Sequence, residues 1–541
     1  MILVAAIPLL GILAVLATAW LLSLDRRAIR FRPITYGLGL QFLLALAVLR
    51  SDDWSFVGMA VLSLWIGLFA LRSAANGNSR LRQGAFHISL LASAGIVLYL
   101  LPQTLLLVLL WAGALFLFAA RYYRQLHAPR PWVVALLPVA GTAHVAQRNL
   151  YGLEILEILG ERVSVFLDFA DYGSKFLFGN LADSAYYFPN SSAWPGFGYL
   201  FAFKLLPVIV FFAAFVSVLY SLGIMQAAIE GISRFMRWSI GTSGAETLCA
   251  SANIFIGQTE APLLIRPYLA RTTRSELFAV MVAGFATIAG GALVGYIALG
   301  IPAAHLLAAS VMSAPAALVV GKILLPETEH PQTAGDVSLP DVDVGGNIIE
   351  AATNGIQEGL RLAVNVGAML IGFIALMAVV DSLLSYGDSL VDGVLLGGTR
   401  VEYQTLGFSP VGSEYRGIFP GSLRTFFGFL LRPIAWLLGV PWAETPLFGN
   451  LLGIKLSLNE FVAFGTLATH IKDGSLSERS VQIAAYALCG FANFSSIGMQ
   501  IGGLGALVPG RRAELARFGL RAMIGGALAS WMTAAIAALL L

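Results

Sequence analysis

Apolar stretches of bilayer length recur along the whole chain, at 2–24, 34–49, 54–71, 85–101, 104–120, about 132–146, 199–222, 276–300, 304–324, 360–384, 480–500 and 518–541. A helix needs ~20 apolar residues to cross the hydrocarbon core. Each stretch therefore predicts a membrane helix, although 132–146 is marginal and leaves a re-entrant path open. Basic clusters lie at Arg72/Arg80/Arg82, Arg121/Arg124/Arg130, Arg266/Arg271/Arg274 and Arg511/Arg512/Arg517. Placing these in the cytoplasm gives a consistent alternation when 54–146 holds about four crossings. The first stretch has no basic residue ahead of it and is followed by Asp25-Arg26-Arg27, Arg30 and Arg32. That order is the reverse of a secretory signal and predicts a retained helix with its N-terminus outside. The polar stretch from Pro326 to Gly346, with Glu327, Glu329, Asp336, Asp341 and Asp343, predicts a cytoplasmic linker. The Gly-, Ser- and Tyr-rich residues 386–424 predict an outside loop.

Two segments depart from this pattern. Residues about 238–270 and about 441–470 are apolar but broken by Gly, Pro and polar residues, and each carries a carboxylate in mid-segment. Irregular backbone at membrane depth survives only where protein or a water-filled cavity satisfies its polar groups, so both predict re-entrant hairpins. A helix with a small polar break follows each: Ala286-Thr287-Ile288-Ala289-Gly290 after the first, Ala492-Asn493-Phe494-Ser495-Ser496 after the second. The unit occurs twice and in opposite orientation, the pattern that points to a midplane site in a secondary transporter. The expected fold is thus an all-α membrane fold, a polytopic helical transporter with inverted repeats containing two re-entrant hairpins and two broken helices. Its expected parts are N-terminal scaffold helices (1–49), an additional transmembrane bundle (50–150), an amphipathic helix and scaffold helix (151–237), the first repeat (238–325), the polar linker (326–359), a scaffold helix with the outside loop (360–440) and the second repeat (441–541).

Composition agrees. Of 541 residues, 58% are hydrophobic and 12% charged, against about 25% charged in soluble proteins. A net charge of +3 is too small to imply nucleic-acid binding, and no basic run interleaved with aromatics occurs, so no nucleic-acid partner is expected. The two cysteines, Cys249 and Cys489, and the six histidines show no metal spacing and no disulfide framework. The chain has no Gly-rich loop ending in Gly-Lys-Ser/Thr, no His-Glu-x-x-His and no Gly-x-Ser-x-Gly, which argues against an ATP-driven pump and against an intramembrane hydrolase.

Glu260 and Glu460 are the informative charges. A carboxylate in the bilayer costs roughly 2.5–3.5 kcal/mol on insertion scales, so one kept there faces a polar cavity. Gly257 and Pro262 flank Gln258, Thr259 and Glu260, and breaking a helix there frees carbonyls for a cation and N–H groups for a substrate. Gln258 donates and accepts, Thr259 offers a hydroxyl and Glu260 an acceptor pair. That set suits a planar ring edge such as a nucleobase; the alternative is that it only ties the hairpin arms together. Glu460, Asn493 and Ser496 offer acceptors and hydroxyl-matching groups suited to a sugar, the alternative for Asn493 and Ser496 being interhelical hydrogen bonds of ~0.6 kcal/mol. Phe491 is a candidate stacking surface.

The chain resembles the concentrative nucleoside transporter family, including its sodium-coupled bacterial members. The resemblance rests on Gly257-Gln258-Thr259-Glu260-Ala261-Pro262-Leu263-Leu264-Ile265-Arg266-Pro267-Tyr268, Gly284-Phe285-Ala286-Thr287-Ile288-Ala289-Gly290, Asn459-Glu460-Phe461-Val462-Ala463 and Cys489-Gly490-Phe491-Ala492-Asn493-Phe494-Ser495-Ser496-Ile497, four blocks in order. It covers 1–49 and about 151–541 and leaves about 50–150 without a counterpart. It implies that Gln258, Thr259 and Glu260, with Phe491 nearby, hold the base, and that Glu460, Asn493 and Ser496 hold the ribose. It further implies a Na⁺ site built from Asn253, Ile256, Thr287 and Ile288, a homotrimer, and an elevator-like cycle. Thr287 stands where some members have serine and keeps the hydroxyl, which favours Na⁺.

The expected function is nucleoside:Na⁺ symport in a multi-pass membrane protein, most simply of a bacterial inner membrane, with uridine, cytidine, adenosine and related nucleosides as cargo, Na⁺ as coupling ion and no other cofactor. One Na⁺ moving down ~100 mV supplies about 2.3 kcal/mol and a tenfold gradient adds roughly 1.4 kcal/mol, enough for a gradient of several-hundred-fold. Proton coupling through Glu260 or Glu460 is the alternative, and a nucleoside sensor built on a transporter body a further one.

Overall fold

The computed structural model describes residues 2–72, 80–120, 130–183, 200–335, 347–402 and 410–541. Arg121, Arg124, Asp336, Asp341 and Asp343 lie outside the described residues, as do 403–409 of the expected outside loop. The chain forms two compact units, one of 39–159 with 540–541 and one of 1–38 with 160–539. The first contains most of α2 (Phe31–Leu49) and all of α3 (Asp53–Leu71), α4 (Arg80–Leu100), α5 (Gln103–Ala119) and α6 (Arg130–Gln147), followed by the start of α7 (Gly152–Leu167). The marginal stretch is one continuous helix, α6, packed against α3, α4 and α5. Leu71, Leu91, Ala135 and Val139 form one buried cluster there, and Leu106, Ala140 and Ala143 a second. Thr142 on α6 and Ser63 on α3 share a hydrogen bond of 2.8 Å. Partners on three sides let this short helix stand without the path reversal its length left open.

The larger unit begins with α1 (Ile2–Leu21) and continues through α8 (Phe169–Phe178), α9 (Leu206–Ser221) and α10 (Ile224–Ile240). The first hairpin follows. Its α11 (Gly244–Ala252) ends in irregular backbone over 253–260, and a 3-10 turn, Ala261–Ile265, and a helical turn, Arg266–Leu269, lead back. Then come α12 (Arg274–Ala286), α13 (Gly290–Ala298) and α14 (Ala303–Leu324). After the linker come α15 (Ile348–Asp388), α16 (Leu423–Leu430) and α17 (Arg432–Leu437). The second hairpin is α18 (Thr445–Ser457) and α19 (Glu460–Asp473), and α20 (Glu478–Leu488), α21 (Phe494–Leu507) and α22 (Arg512–Leu540) complete the chain. The arms α11, α18 and α19, of 9, 13 and 14 residues, are too short for a crossing of ~20.

Among the described residues seven helices are long and apolar enough to cross a membrane, fewer than the stretches read from sequence. Several of the others are simply short, such as Gln103–Ala119, or divided by a break. Burial separates two roles. The window spanning α12 and α13 is 89% buried, whereas that of α15 is 12% buried. The broken helices therefore form the core of this unit, and α15 presents most of its apolar surface outward.

Two expectations need correction. The helix expected at 360–384 runs from Ile348 to Asp388 and continues as a π-helix, Ser389–Leu395, so the first ten residues of the expected loop are helical. The cause is a ladder of aspartates. Asp381 accepts the Leu423 N–H, Asp388 that of Tyr415, and Asp392 those of Ile418 and Phe419, at 2.8–3.0 Å. A short β1 (Arg400–Glu402) and β2 (Ser413–Tyr415) pair antiparallel in the same segment. The second helix break also starts earlier than expected. Helix α20 ends at Leu488 and α21 begins at Phe494, so Ser495 and Ser496 lie in a first helical turn capped by Asn493, whose Oδ1 accepts the Ser496 N–H at 2.8 Å.

Candidate functional site

The two breaks meet back to back. Gly490 has φ +122°, and a Cβ there would stand 2.8 Å from the carbonyl oxygens of Phe285 and Ala286, so only glycine fits. The Phe491 N–H donates to Thr287 O at 3.3 Å. The end of α11 reaches the same place, for the Gly290 N–H donates to Phe255 O at 3.1 Å. Three non-helical stretches thus converge around one volume.

That volume is a cavity of about 300 Å³, at the lower end of the ~300–1,000 Å³ typical of small-molecule sites. Gly257, Gln258, Thr259 and Glu260 form one wall; Asn459, Glu460, Phe461, Phe491 and Asn493 form another; Asn365 and Leu362 of α15 contribute a third. Of the residues singled out for the base and the sugar, all but Ser496 line it. Ser496 is buried behind Asn493, held to it by the backbone hydrogen bond described above.

Several polar groups in the lining are held in place. Glu460 is the first residue of α19, at the positive end of the helix dipole. It accepts from Asn493 Nδ2 at 2.9 Å and from Tyr296 Oη at 3.2 Å. Tyr296 is fully buried, stacked on Phe464 at 4.3 Å between ring centroids and edge-on to Phe461 at 4.7 Å. Gln258 is buried, and its Oε1 accepts from Gln500 Nε2 at 3.0 Å, which leaves its own N–H groups for a ligand. Thr259 and Glu260 are exposed to the open volume, and the Gly257 N–H donates to Glu260 Oε2 at 3.4 Å. Tyr296 and Gln500 escaped the sequence reading, each being a lone polar tip in an apolar helix. Gln500, at the end of the 480–500 stretch, was the only visible signal.

A second cavity of about 330 Å³ shares Gly257, Glu260, Ala289 and Leu362 with the first and is lined by Asn354, Gln357, Glu358 and Arg361 of α15. Glu260 stands at the junction.

The residues expected to hold Na⁺ fit a small hard cation. Asn253 is fully buried and its Oδ1 has no hydrogen-bond partner. Thr287 Oγ1 donates to Ala283 O at 2.7 Å, which leaves its lone pairs free. Among the described residues no backbone N–H donates to the Ile256 or Ile288 carbonyl. This all-oxygen, uncharged set suits an alkali cation better than a transition metal, and no cluster of metal-binding side chains occurs among the described residues.

Comparison with known proteins agrees with this architecture. Family models described as Na⁺ dependent nucleoside transporter N-terminus, Nucleoside recognition, and Na⁺ dependent nucleoside transporter C-terminus match residues 10–77, 202–303 and 305–538. The first runs past residue 49, where the resemblance read from sequence stops. The nucleoside permease NupC of Helicobacter pylori is 40% identical over 392 residues, 72% of this chain and 86% of that protein. The sodium/nucleoside cotransporter 1 of Rattus norvegicus is 37% identical over 515 residues, 90% of this chain and 69% of the other. The solved structure of CNTnw in an inward-facing substrate-bound state matches with a TM-score of 0.71 at 31% identity, covering 99% of this chain and 98% of that one. A CNTnw variant in an outward-facing state matches with a TM-score of 0.70. These are transporters, not enzymes, and this membrane-spanning chain belongs to the Na⁺-dependent, concentrative nucleoside transporter family.

Proposed function

We propose that this chain imports nucleosides of both the purine and pyrimidine classes, among them uridine, cytidine and adenosine, by symport with Na⁺. The single observation that carries the reading is the two-walled cavity. One wall offers Gln258, Thr259 and Glu260 to a base edge, and the other offers Glu460 and Asn493 to ribose hydroxyls. Phe491 lies against the base. Ser496 acts on the ribose side through Asn493. Asn253, Ile256, Thr287 and Ile288 hold the ion. The buried core of broken helices moves as one body in an elevator-type cycle, and the protein works as a homotrimer in a bacterial inner membrane; the family likeness supports these parts of the reading.

Uptake of labelled uridine into proteoliposomes, with and without an inward Na⁺ gradient, tests the proposal. Uptake that rises with the gradient and is competed by adenosine and cytidine is expected. Uptake indifferent to Na⁺ but accelerated by an inward proton gradient would transfer coupling to Glu260 or Glu460, and no uptake of any nucleoside would refute the function.

A further inference from the structure

The second cavity lies between α9 and α15, with Phe255 and Glu260 of the first hairpin closing one side. At about 330 Å³ it is as large as the first and offers room for the same class of small molecule. Glycines seat α15 directly on α9: a Cβ at Gly355 would lie 2.7 Å from Ala213 O, and one at Gly359 2.8 Å from Val210 Cα. Beside that contact α15 carries Asn354, Glu358, Arg361 and Asn365, spaced four, three and four positions apart. Such spacing aligns them in one stripe along the helix. Asn354, Glu358 and Arg361 line the second cavity and Asn365 the first. The stripe interrupts a helix that is otherwise apolar enough to cross a membrane, where ionisable side chains mark a substrate or ion path. Among the described residues neither Glu358 nor Arg361 has an ion-pair partner.

Tyr220 of α9 supplies an independent observation. It is 8% exposed, it lines the same cavity, and its Oη has no hydrogen-bond partner. Burying a hydroxyl unpaired is unfavourable, and a ligand group that pairs with it removes that penalty. Phe212 and Phe255 add flat apolar faces to the lining, which suit a planar ring. The cavity thus repeats the chemistry of the first: hydrogen-bonding groups beside aromatic surface.

The two cavities touch α15 over 362–370 and over 354–362. That offset of about eight residues is roughly 12 Å at 1.5 Å per residue. It runs toward the linker that precedes Ile348, where α15 begins, the end that the basic clusters place in the cytoplasm.

We propose that the second cavity is a release-side nucleoside subsite, in which Tyr220, Asn354, Glu358 and Arg361 hold the cargo after it leaves the first and before it departs toward the linker. The inference rests on the nucleoside function proposed above. Because Glu260 belongs to both cavities, the two are filled in turn by one molecule. A polar stripe also suits a helix face that merely meets water, and the test separates the two roles.

Thiouridine, a photoactivatable nucleoside, is irradiated with the reconstituted full-length protein in Na⁺, and labelled peptides are mapped by mass spectrometry with and without excess uridine. Label competed by uridine is expected at the Phe491 peptide of the first cavity and at the α9 and α15 peptides that carry Tyr220 and Glu358. Competed label confined to the first cavity overturns the subsite and leaves the proposed function standing. No competed label in either, together with no uridine uptake, overturns both. Exchange kinetics in oriented proteoliposomes give a second reading. Tyr220→Phe and Glu358→Gln are each expected to raise the half-saturating uridine concentration at the linker side about fivefold more than at the outer side, as loss of a ligand hydrogen bond implies. Equal effects on the two sides, or none, identify a wetted helix face and overturn the proposal. Where a variant is not recovered folded, the label map of the wild-type protein decides.

Discussion

Gln500 Nε2 donates to Gln258 Oε1 at 3.0 Å and to Met281 O at 3.0 Å, so a residue of the second repeat orients the hairpin glutamine of the first. Room for the pair comes from Gly284, where a Cβ would lie 2.5 Å from Gln500 Nε2 and 3.0 Å from Gln258 Cβ. Removing the donor leaves the buried Gln258 carbonyl unsatisfied, at a cost of about 1–3 kcal/mol, and frees it to turn away from the ligand. Gln500→Ala is therefore expected to raise the KM for uridine about tenfold or more while the Na⁺ concentration for half-maximal uptake stays near wild type. Kinetics of labelled uptake at fixed and varied Na⁺ give both numbers.

Glu460 is fixed by two donors that came to it from far along the chain, Tyr296 and Asn493. Tyr296→Phe removes one hydrogen bond to a charged group and is expected to weaken nucleoside affinity by about 1.5–3 kcal/mol. Glu460→Gln goes further, because its amide N–H groups face existing donors, and uptake should fall below detection. Binding of uridine to purified protein by calorimetry distinguishes lost affinity from lost turnover.

Beside the linker, Lys322 Nζ contacts Glu246 Oε2 at 2.7 Å, Ser275 Oγ at 2.9 Å and Glu327 Oε2 at 3.4 Å, and both Lys322 and Glu246 are buried. Taking one partner from a buried ion pair costs about 3–5 kcal/mol, mostly because the other charge is stranded. Lys322→Met should lower the thermal unfolding midpoint markedly. Adding Glu246→Gln to it should restore part of the loss, a sign of direct coupling in a double-mutant cycle.

Gly490→Ala is expected to abolish uptake. The new methyl would meet two carbonyl oxygens at 2.8 Å in a backbone conformation at φ +122°. Size-exclusion elution of the detergent-solubilised variant shows whether the chain still folds; the expected result is a folded, inactive protein or none recovered, against a fully active one if the contact were soft.

The hairpins and both breaks were legible because Gly257, Pro262, Gly290 and the carboxylates interrupt otherwise continuous apolar runs. Their exact limits were not. The second break starts at Cys489 because Gly490 accepts a positive φ and Asn493 caps α21, features set by the crossing helix rather than by local composition. The length of α15 was hidden for a similar reason: Asp388 and Asp392 extend the helix by accepting N–H groups 26 or 27 positions away, a pairing no local pattern announces. Gln258 and Glu460 stood out as polar groups in apolar surroundings, whereas Tyr296 in Gly290–Ala298 looks like any aromatic residue of a membrane helix. The residues that line the cavity were thus readable, and the groups that hold them in place were not.

The Phe491 N–H bonded to Thr287 O also bears on how the ion and the cargo influence each other. Under the function proposed above, an ion held at Thr287 and Ile288 and a nucleoside resting against Phe491 would be linked through this one backbone hydrogen bond. Thermodynamic reciprocity then needs no long relay through the molecule. An ion that stiffens the break around Thr287 stiffens the floor under the base, and a bound nucleoside, pressing on Phe491, returns the favour by holding the ion. On that reading cooperativity is a nearest-neighbour effect, and it should survive any substitution elsewhere that leaves that one contact intact.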